Sequence, residues 1–562
     1  MKASGGFVVH RAPLVRERLY RHTAILDRPV SDLDLASLNA VQATPWRINH
    51  RVLDTMLEAW NGDVPAAGLM KATTKELPDR MADAVWDGMS KEDQLVHLRA
   101  RGAIHSFNAS ATGRQFAIVD CLTVASELRD ERAIYYPHSR CFRGRIHPVP
   151  AFGPSPQGND VAKALIEFGH GMPLGPDGLY WLLVRFANNC GHDKLPLDER
   201  MSWALDQMPL IQQTAVEPLG SPWWYATDEQ GGGVLDEPWQ ALATLLELAD
   251  AMSHPGGPEA FVSHLPVAMD GACNGIQHLS AMGLDPVGAR ATNLCAGVER
   301  QDVYGDVAKA VNVLVNRDAL EGNDIAMAWV GQVGRKTVKR AVMTTPYGVT
   351  SGGIRQQLIA DGLVPEGEDR GGKAGYLRDC LVLALSETVV SAKEIMLWLQ
   401  VTALRLAQAG LPFEFRTPTG SLVRQAYHTI TSDRIVTLCG RLRAEQAVVD
   451  GPLDPKKCAL AAAPNTIHGF DATHLSMTVN AAVVCGIADF AMIHDSYGTH
   501  AANTTRLSAV LRQTFVELYA VDRLQEIADY INGYAPHVQL EPVPVRKTFD
   551  IAQVVDAPFF FS

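Results

Sequence analysis

Two aspartates that lie 225 residues apart (495 − 270) constrain the fold of this 562-residue chain most strongly. Asp270 ends the apolar run 265–269, and Asp495 lies in a compact polar turn between two apolar runs. Between them, the segment GRKTVKRAVMTTPYG concentrates lysine and arginine. If these three segments act together, the fold must bring two distant parts of the chain to one place, with a large insertion between them.

The first aspartate is placed where a hard cation could bind. The apolar run predicts a β-strand that ends at Asp270, and the following Gly271 keeps the backbone free of bulk. Magnesium prefers one or two carboxylates together with phosphate oxygens, so a carboxylate at this position suits it. Alternatively, Asp270 caps the helix that is predicted to begin near Cys273.

The central segment is predicted to be a helix with a basic face. Residues three and four apart are neighbours on a helix, so four cations share one broad face: Arg335, Lys336, Lys339 and Arg340. Cations this close repel one another, and a triphosphate is a fitting complement, although a solvated basic face is the alternative. Pro346 should end or kink the helix, and Tyr347 and Gly348 then offer an aromatic ring and bare backbone to a base.

The second aspartate follows His494 at a tight turn, where a rigid support would point its carboxylate outward. Ordinary turn chemistry is the alternative, because Asp and Ser often stabilise turns. Taken together, two aspartates suffice to bridge a pair of metal ions about 3.5–4 Å apart. A cationic helix would neutralise a triphosphate beside them. The three segments therefore indicate nucleotidyl transfer with two Mg²⁺ ions.

Composition limits the class of protein without deciding it. The formal net charge of −12 argues against a non-specific DNA coat, but a local basic channel can coexist with an acidic exterior. Nine cysteines without a CxxC pair signal neither a zinc site nor a disulfide framework, which favours a reducing cytoplasm. No apolar stretch is long enough to span a bilayer, so no membrane association is predicted. Helical periodicity with a few hairpins predicts an α+β fold that is predominantly helical.

The same segments, in this order, resemble the single-subunit DNA-directed RNA polymerases of bacteriophages and mitochondria. DGACNGIQHLSAM is similar to the first palm motif of that family, RKTVKRAVMTTPYG to its fingers helix, and IHDSYG to its second palm motif. Further similar segments follow in the family's order: QATPWRIN, RGRIHPV, PQGND, QDVYGDVAKAVN, APNTIHGFDATHL and PFFFS. The resemblance runs from about residue 39 to residue 562.

The resemblance implies a right-hand architecture of palm, fingers and thumb. The implied regions are a reduced N-terminal region at 1–70, a thumb-like helical region at 71–140, palm at 141–287 and 469–562, and fingers at 288–468 with a possible DNA-reading hairpin at 434–461. The familiar phage enzyme has several hundred residues before its first palm aspartate, whereas this chain has 269. We therefore expect weak recognition of duplex promoters, or initiation on single-stranded or opened DNA.

Site roles also follow from the resemblance. Metal binding falls to Asp270 and Asp495, with the Gly271 carbonyl assisting, and catalysis involves these aspartates with Lys339 and Tyr347. Substrate contacts fall to Lys194, Arg335, Lys339, Arg340, Tyr347 and His468, the last two near the ribose. Support of template or primer falls to Arg145, His494 and Gly348. Gly275 stands where related DNA polymerases carry a bulky Glu that fills the space of a 2′-hydroxyl.

Three positions depart from the family pattern. Cys141 stands where the family usually has Asp, which leaves the ion pairing of Arg143 and Arg145 open. Phe142 replaces a Trp, and Pro346 replaces a small or β-branched residue before the tyrosine.

The implied partners are a DNA template, nascent RNA and ribonucleoside triphosphates, with a possible helper protein for promoter opening. A monomer in the cytoplasm, that of the host cell if the protein is viral, is expected. Three alternatives remain: a primase or DNA polymerase with the same palm chemistry, a degenerate polymerase kept as a scaffold, and an unrelated two-metal nuclease.

Overall fold

Long helices and short two- or three-stranded sheets make up the described residues of the computed structural model, which are 4–6, 11–16, 30–69, 71–79, 81–150, 152–227, 233–297, 300–388, 390–437, 440–447 and 451–561. The α-helices in these ranges are α1 (Asp32–Gln42), α2 (His50–Asn61), α3 (Asp83–Gly88), α4 (Lys91–Glu127), α5 (Asp160–Ala164), α6 (Gly175–Asn189), α7 (Leu197–Asp206), α8 (Met208–Val216), α9 (Pro238–Met252), α10 (Asn274–Met282), α11 (Pro286–Ala291), α12 (Val303–Leu320), α13 (Asp324–Met327), α14 (Arg335–Thr344), α15 (Ser351–Ala360), α16 (Arg370–Thr388), α17 (Val390–Gln408), α18 (Pro455–Val484), α19 (Thr504–Ala520) and α20 (Arg523–Tyr534). The predicted α+β class with a larger helical share is confirmed.

The strands in the same ranges are β1 (Ser4–Gly6), β2 (Arg11–Pro13), β3 (Val15–Arg16), β4 (Trp46–Ile48), β5 (His138–Cys141), β6 (Ile146–Pro148), β7 (Ile166–Phe168), β8 (Met172–Pro173), β9 (Val262–Ser263), β10 (Pro266–Asp270), β11 (Phe413–Arg416), β12 (Leu422–Gln425), β13 (Ile430–Thr437), β14 (Gly440–Ala447), β15 (Ala491–Ile493) and β16 (Ser496–His500). Single 3₁₀ turns lie at Pro258–Ala260, Ala501–Asn503 and Ile551–Asp556. None of the described helices is apolar over a length that would carry it across a membrane.

The sheet that matters for the site has the strand order β10-β16-β15 and is antiparallel throughout. Strand β10 alternates in the way that a half-buried strand requires. Val267 and Met269 are each 1% exposed, whereas Asp270 opens to the other face. This alternation explains why the predicted apolar run forms a strand that ends on the carboxylate.

Helix α18 forms the wall behind this sheet and packs against α1, α17 and α19. Asp454 caps its N-terminus by accepting a hydrogen bond from the backbone N–H of Lys457, and Pro455 occupies the first turn, where a missing N–H does no harm. Several polar side chains of α18, among them Asp471 and His474, are buried. Buried polar groups need partners, and those partners hold the site together.

The predicted hairpin at 434–461 has different bounds in the structure. Strands β13 and β14 pair from Ile430 to Ala447, so the hairpin begins four residues earlier than predicted. Its predicted second half runs into α18, which already begins at Pro455. Residues 438–439 and 448–450 lie outside the described residues.

Candidate active site

The two aspartates meet at the end of the β10-β16 ladder. Asp270 is paired with Ser496, the residue that directly follows Asp495. Opposed residues in an antiparallel pair have Cα atoms about 4.5–5.5 Å apart. The turn between β15 and β16 places His494 at a φ of 53°, in the left-handed region. The predicted convergence of two distant carboxylates is therefore present in the fold.

The environment of both carboxylates favours a cation between them. Burial within the site raises the pKa of Asp270, although its carboxylate remains open to cleft water and accepts a hydrogen bond from the Ser496 hydroxyl. The pKa of Asp495 is raised to about 6 by burial and by the negative charge of Asp471, with Arg145 opposing and Asp270 adding to the increase. A divalent cation would relieve this repulsion between like charges.

Asp270 does not cap the helix that follows it. Helix α10 begins at Asn274, and its N-cap residue, Cys273, adopts a left-handed conformation with a φ of 60° and forms no side-chain capping bond. The alternative interpretation of Asp270 as a helix cap is therefore wrong.

A cleft of about 700 Å³ opens in front of Asp270. Among the residues predicted to bind substrate, it is lined by Lys194, Arg335 and Lys339. Further charged side chains line the same cleft: Lys163, Arg185, Asp193, Asp236, Glu237, Arg300 and Asp302. Asp495, Tyr347 and His468 do not belong to its lining. The cleft therefore joins one carboxylate to the predicted triphosphate ligands.

The four cations of helix α14 lie on one side of the helix, as predicted: Arg335 is half-buried, whereas Lys336, Lys339 and Arg340 are exposed. Val338 and Val342 are fully buried, and this packing fixes which side of the helix faces the core. Arg335 turns towards the cleft, where its Nε donates to Asp302 at 3.0 Å. Arg340 instead forms an ion pair with Asp361 and does not line the cleft. Contact of Arg340 with the substrate stays a prediction.

Lys194 lies beside Asp193, with which it forms an ion pair. Burial lowers the pKa of Lys194, Asp193 opposes that change, and Arg300 and Arg335 reinforce it. The lysine is therefore part of a cationic group at the cleft, which an incoming polyanion would stabilise.

Tyr347 stacks on His468, with ring centroids 4.9 Å apart and an interplanar angle of 28°. Helix α14 ends at Thr344, just before Pro346, as predicted. Gly348 has a φ of 75°, and a Cβ there would lie 2.9 Å from the carbonyl oxygen of Leu460, so only glycine suits the turn. The two predicted ribose-sensing side chains are thus in contact with each other.

The space beside Gly275 is filled by its neighbours. A Cβ at this position would lie 2.8 Å from the Cβ of Pro346 and 3.3 Å from Cζ of Tyr347. Glycine therefore allows the Pro346–Tyr347 turn to approach the first residues of α10. A larger side chain would displace the tyrosine from that position.

Two arginines of the β5-β6 loop contact α18 one turn apart. Arg145 donates from Nε to Oδ2 of Asp471 at 2.7 Å, and Arg143 donates from Nη1 to Nδ1 of His468 at 2.9 Å. Asn274 donates to the other oxygen, Oδ1, of Asp471 at 2.9 Å. Asp471 is therefore the ion-pair partner of Arg145. The sequence left this partner open, because Cys141 stands where the family usually has Asp.

Asp471 is the residue that sequence reasoning missed. It is 1% exposed in the middle of a long helix, and charged residues are rarely buried unless they are paired. Its position one turn after His468 was the available signal, since residues three apart on a helix are neighbours.

His494 packs against the same loop. Its ring lies edge-on to His147, with centroids 4.9 Å apart. Burial, Arg145 and His147 together lower the pKa of His494 to about 4, and Asp471 opposes this shift. Cys141 lies nearby: burial raises its thiol pKa, but a hydrogen bond with His147 and the charge of Arg143 prevail and bring it to about 7.

Across the described ranges, no group of three or more histidine, cysteine, aspartate or glutamate side chains is arranged to hold a metal ion. The predicted ligands stay the carboxylates of Asp270 and Asp495 and the carbonyl of Gly271. This set fits magnesium, which takes its remaining ligands from water and substrate phosphates.

Comparisons with known proteins identify the family of the chain. A profile of the DNA-dependent RNA polymerase family matches residues 172–535. The chain is 34% identical to DNA-directed RNA polymerase 2B, chloroplastic/mitochondrial, of Nicotiana tabacum, over 98% of this chain and 53% of that protein. It is 33% identical to DNA-directed RNA polymerase 2, chloroplastic/mitochondrial, of Arabidopsis thaliana, over 94% of this chain and 52% of that protein.

The chain spans about half the length of these curated relatives. Among solved structures, the POL domain of Pol1 from M. smegmatis in complex with DNA primer-template and dNTP aligns over 87% of this chain and 79% of that one. Its identity of 13% and TM-score of 0.26 are too low to bear on the fold. The match to the family profile over most of the chain carries the assignment. The chain belongs to the DNA-dependent RNA polymerase family.

Proposed function

We propose that the chain polymerises ribonucleoside triphosphates on a DNA template, as a DNA-directed RNA polymerase. The observation that carries the proposal is the pairing of Asp270 with Ser496, which brings Asp495 to the same end of the sheet. The cationic lining by Lys194, Arg335 and Lys339 supports it, because phosphoryl chemistry needs positive charge beside the metal-binding carboxylates.

Each of these side chains has a distinct task in the proposed reaction. Arg335 and Lys339 bind the triphosphate and stabilise the pyrophosphate as its charge develops. Tyr347 and His468 contact the ribose, and rejection of a deoxy sugar follows when their polar groups would be left unpaired. Arg145, His494 and Gly348 support template or primer next to Asp495 and Tyr347.

Asp270 and Asp495 would hold two magnesium ions, with the Gly271 carbonyl assisting. The elevated pKa values of both aspartates support this role, since a dication offsets the cause of the elevation. When bound, the metal ions supply Lewis-acid stabilisation of the attacking and leaving oxygens.

The proposal includes the domain assignment. The palm comprises 141–287 and 469–562, the fingers 288–468 and the thumb 71–140, with 1–70 as an N-terminal region. The hairpin β13–β14 is the proposed DNA-reading element, with its bounds moved to 430–447. A monomer, a helper protein for promoter opening and a cytoplasmic, phage-type setting stay predictions, and the names of the relatives above are chloroplastic and mitochondrial.

A pair of run-off assays tests the proposal. Purified chain receives Mg²⁺ and four ribonucleotides on a single-stranded template and on a duplex promoter template. We expect templated RNA on the single strand, and less on the duplex. Asp270→Asn and Asp495→Asn should abolish synthesis while template binding stays nearly intact. Asp250→Asn, which alters a surface carboxylate paired with Arg51, is the matched control and should remain active.

The same assay separates the alternatives. A preference for deoxyribonucleotides on a primed template would indicate a DNA polymerase, and short RNA products that another polymerase must extend would indicate a primase. Template binding without any synthesis by the unmodified chain would leave the scaffold interpretation and contradict the proposed function.

A further inference from the structure

The hydrogen bond between Arg143 and His468 determines which ring nitrogen of His468 carries the proton. The distance from Nη1 of Arg143 to Nδ1 of His468 is 2.9 Å. A guanidinium carries only donors, so the imidazole nitrogen must be the acceptor. An imidazole that accepts at Nδ1 carries its proton at Nε2.

We propose that Arg143 is a positioning residue that fixes His468 as the neutral tautomer with its proton on Nε2. His468 then presents a donor, not an acceptor, at the edge of its ring away from Arg143. The part of the proposal that concerns substrate rests on the proposed function: the Nε2–H donates to the 2′-hydroxyl oxygen of the incoming ribonucleotide.

The loop that carries Arg143 is held firmly against α18. Gly144 has a φ of 101°, and a Cβ there would lie 3.1 Å from the Cβ of Ala472, so glycine lets the loop press on the helix. Arg145 anchors the same loop to Asp471 at 2.7 Å, one helical turn from His468. The guanidinium of Arg143 also lies 5.3 Å from the ring centre of Phe142. The arginine is therefore placed by its surroundings as well as by the histidine.

The charges around His468 act in the same direction. Burial and the neighbouring groups Arg145, Arg143, His494 and His278 together lower its pKa to about 2. The ring is neutral across the physiological range, so one nitrogen accepts while the other donates. Without Arg143, water at Nδ1 would allow either tautomer, and part of the ring population would lose the donor at Nε2.

The tautomer can be measured directly. Histidine side chains of the full chain are labelled with ¹⁵N, and the signals of His468 are identified by their loss in His468→Ala. We expect a neutral ring protonated at Nε2 in the unmodified chain. Arg143→Met removes the donor and should produce a mixture of tautomers, whereas Arg143→Lys, which keeps a donor-only group, should retain more of the Nε2–H form.

A second measurement tests the role in substrate selection. It compares kcat/KM for the incorporation of ribonucleotides and deoxyribonucleotides. Loss of one hydrogen bond corresponds to a roughly three- to tenfold drop in the preference for ribose in Arg143→Met, with partial recovery in Arg143→Lys. In a His468→Ala background, Arg143→Met should change the preference no further, because its effect passes through the histidine. Arg51→Met, at a surface ion pair, controls for the loss of an arginine.

The outcomes separate the two proposals. A His468 ring protonated at Nδ1 or at both nitrogens would overturn the tautomer assignment. An Arg143→Met variant with an unchanged tautomer, or one whose ribose preference falls equally in the His468→Ala background, would overturn the positioning role. If the unmodified chain makes no RNA while the ¹⁵N spectrum shows the Nε2–H form, the proposed function fails and the assignment of the tautomer stands.

Discussion

Gly275→Ala is the sharpest test of the substrate pocket, because two well-understood effects oppose each other at this position. Gly275 is the second residue of α10, so alanine gains at most the about 0.5–1 kcal/mol that it gains inside a helix. The added Cβ would, however, lie 2.8 Å from the Cβ of Pro346 and 3.3 Å from Cζ of Tyr347. The balance of these effects decides whether the pocket tolerates a side chain.

The contact distance gives the magnitude. Carbon atoms rest at about 3.5–4.0 Å, so the Pro346–Tyr347 turn must retreat by roughly 0.7 Å. Overpacking of this kind costs about 1–3 kcal/mol, which exceeds the gain in helix propensity. A misplacement approaching 1 Å in a substrate-positioning residue lowers the rate by up to about 100-fold. We therefore expect a net loss of stability near 1 kcal/mol and a loss of kcat/KM of about 10- to 100-fold.

Thermal unfolding and single-nucleotide incorporation on a primed DNA template measure the two effects. Gly375→Ala is the matched control, because Gly375 lies within α16 and a Cβ there meets no atom within 4 Å. That variant should be slightly stabilised and fully active. If Gly275→Ala were as stable and as active as Gly375→Ala, the close packing of Tyr347 against α10 would be refuted.

Further variants test the buried charges and the pocket. Asp471→Asn leaves Arg145 without its carboxylate and should cost about 3–5 kcal/mol of unfolding free energy, against about 1 kcal/mol or less for exposed Asp250→Asn, both by chemical denaturation. Burial raises the pKa of Glu247 from 4.5 to about 7. The contribution of this carboxyl group to stability is therefore present below pH 4.5 and is lost as pH rises through 7. Between pH 4.5 and 8, the unfolding free energy of Glu247→Gln should increase by about 3 kcal/mol relative to that of the unmodified chain. Tyr347→Phe keeps the stack on His468 but loses the hydroxyl, so its preference for ribonucleotides should fall while their incorporation rate is largely retained.

Local features of the site could be predicted from sequence because local rules determine them. The alternation of Val267 and Met269 predicts a strand that ends at Asp270, and the strand β10 ends there. Pro346 predicts the end of the helix that carries Arg335 and Lys339, and α14 ends at Thr344. In each case the sequence neighbours of a residue are also its spatial neighbours.

Features that depend on long-range contacts could not be predicted in the same way. The partner of Arg340 is Asp361, which directly follows the next helix, α15, and no helical spacing reveals that choice. Helical spacing relates Asp471 to His468 but does not reveal its partners, since Arg145 and Asn274 come from two other segments. The hairpin boundary is different, because Asp454 followed by Pro455 is a recognisable helix start that a comparison with family segments alone overlooks.

The distribution of ion pairs in the site explains why both aspartates remain available to bind a metal ion. In the described part of the chain, the cleft cations Arg335 and Lys194 have acidic partners in Asp302 and Asp193. No lysine or arginine in those same ranges forms an ion pair with Asp270 or Asp495. Had a lysine been placed between the aspartates, their pKa values would fall and a dication would gain little by binding. Lys163 and Arg145 lower the pKa values of Asp270 and Asp495 only in part, so both values stay raised. A metal ion would therefore still offset the negative charge of the two carboxylates.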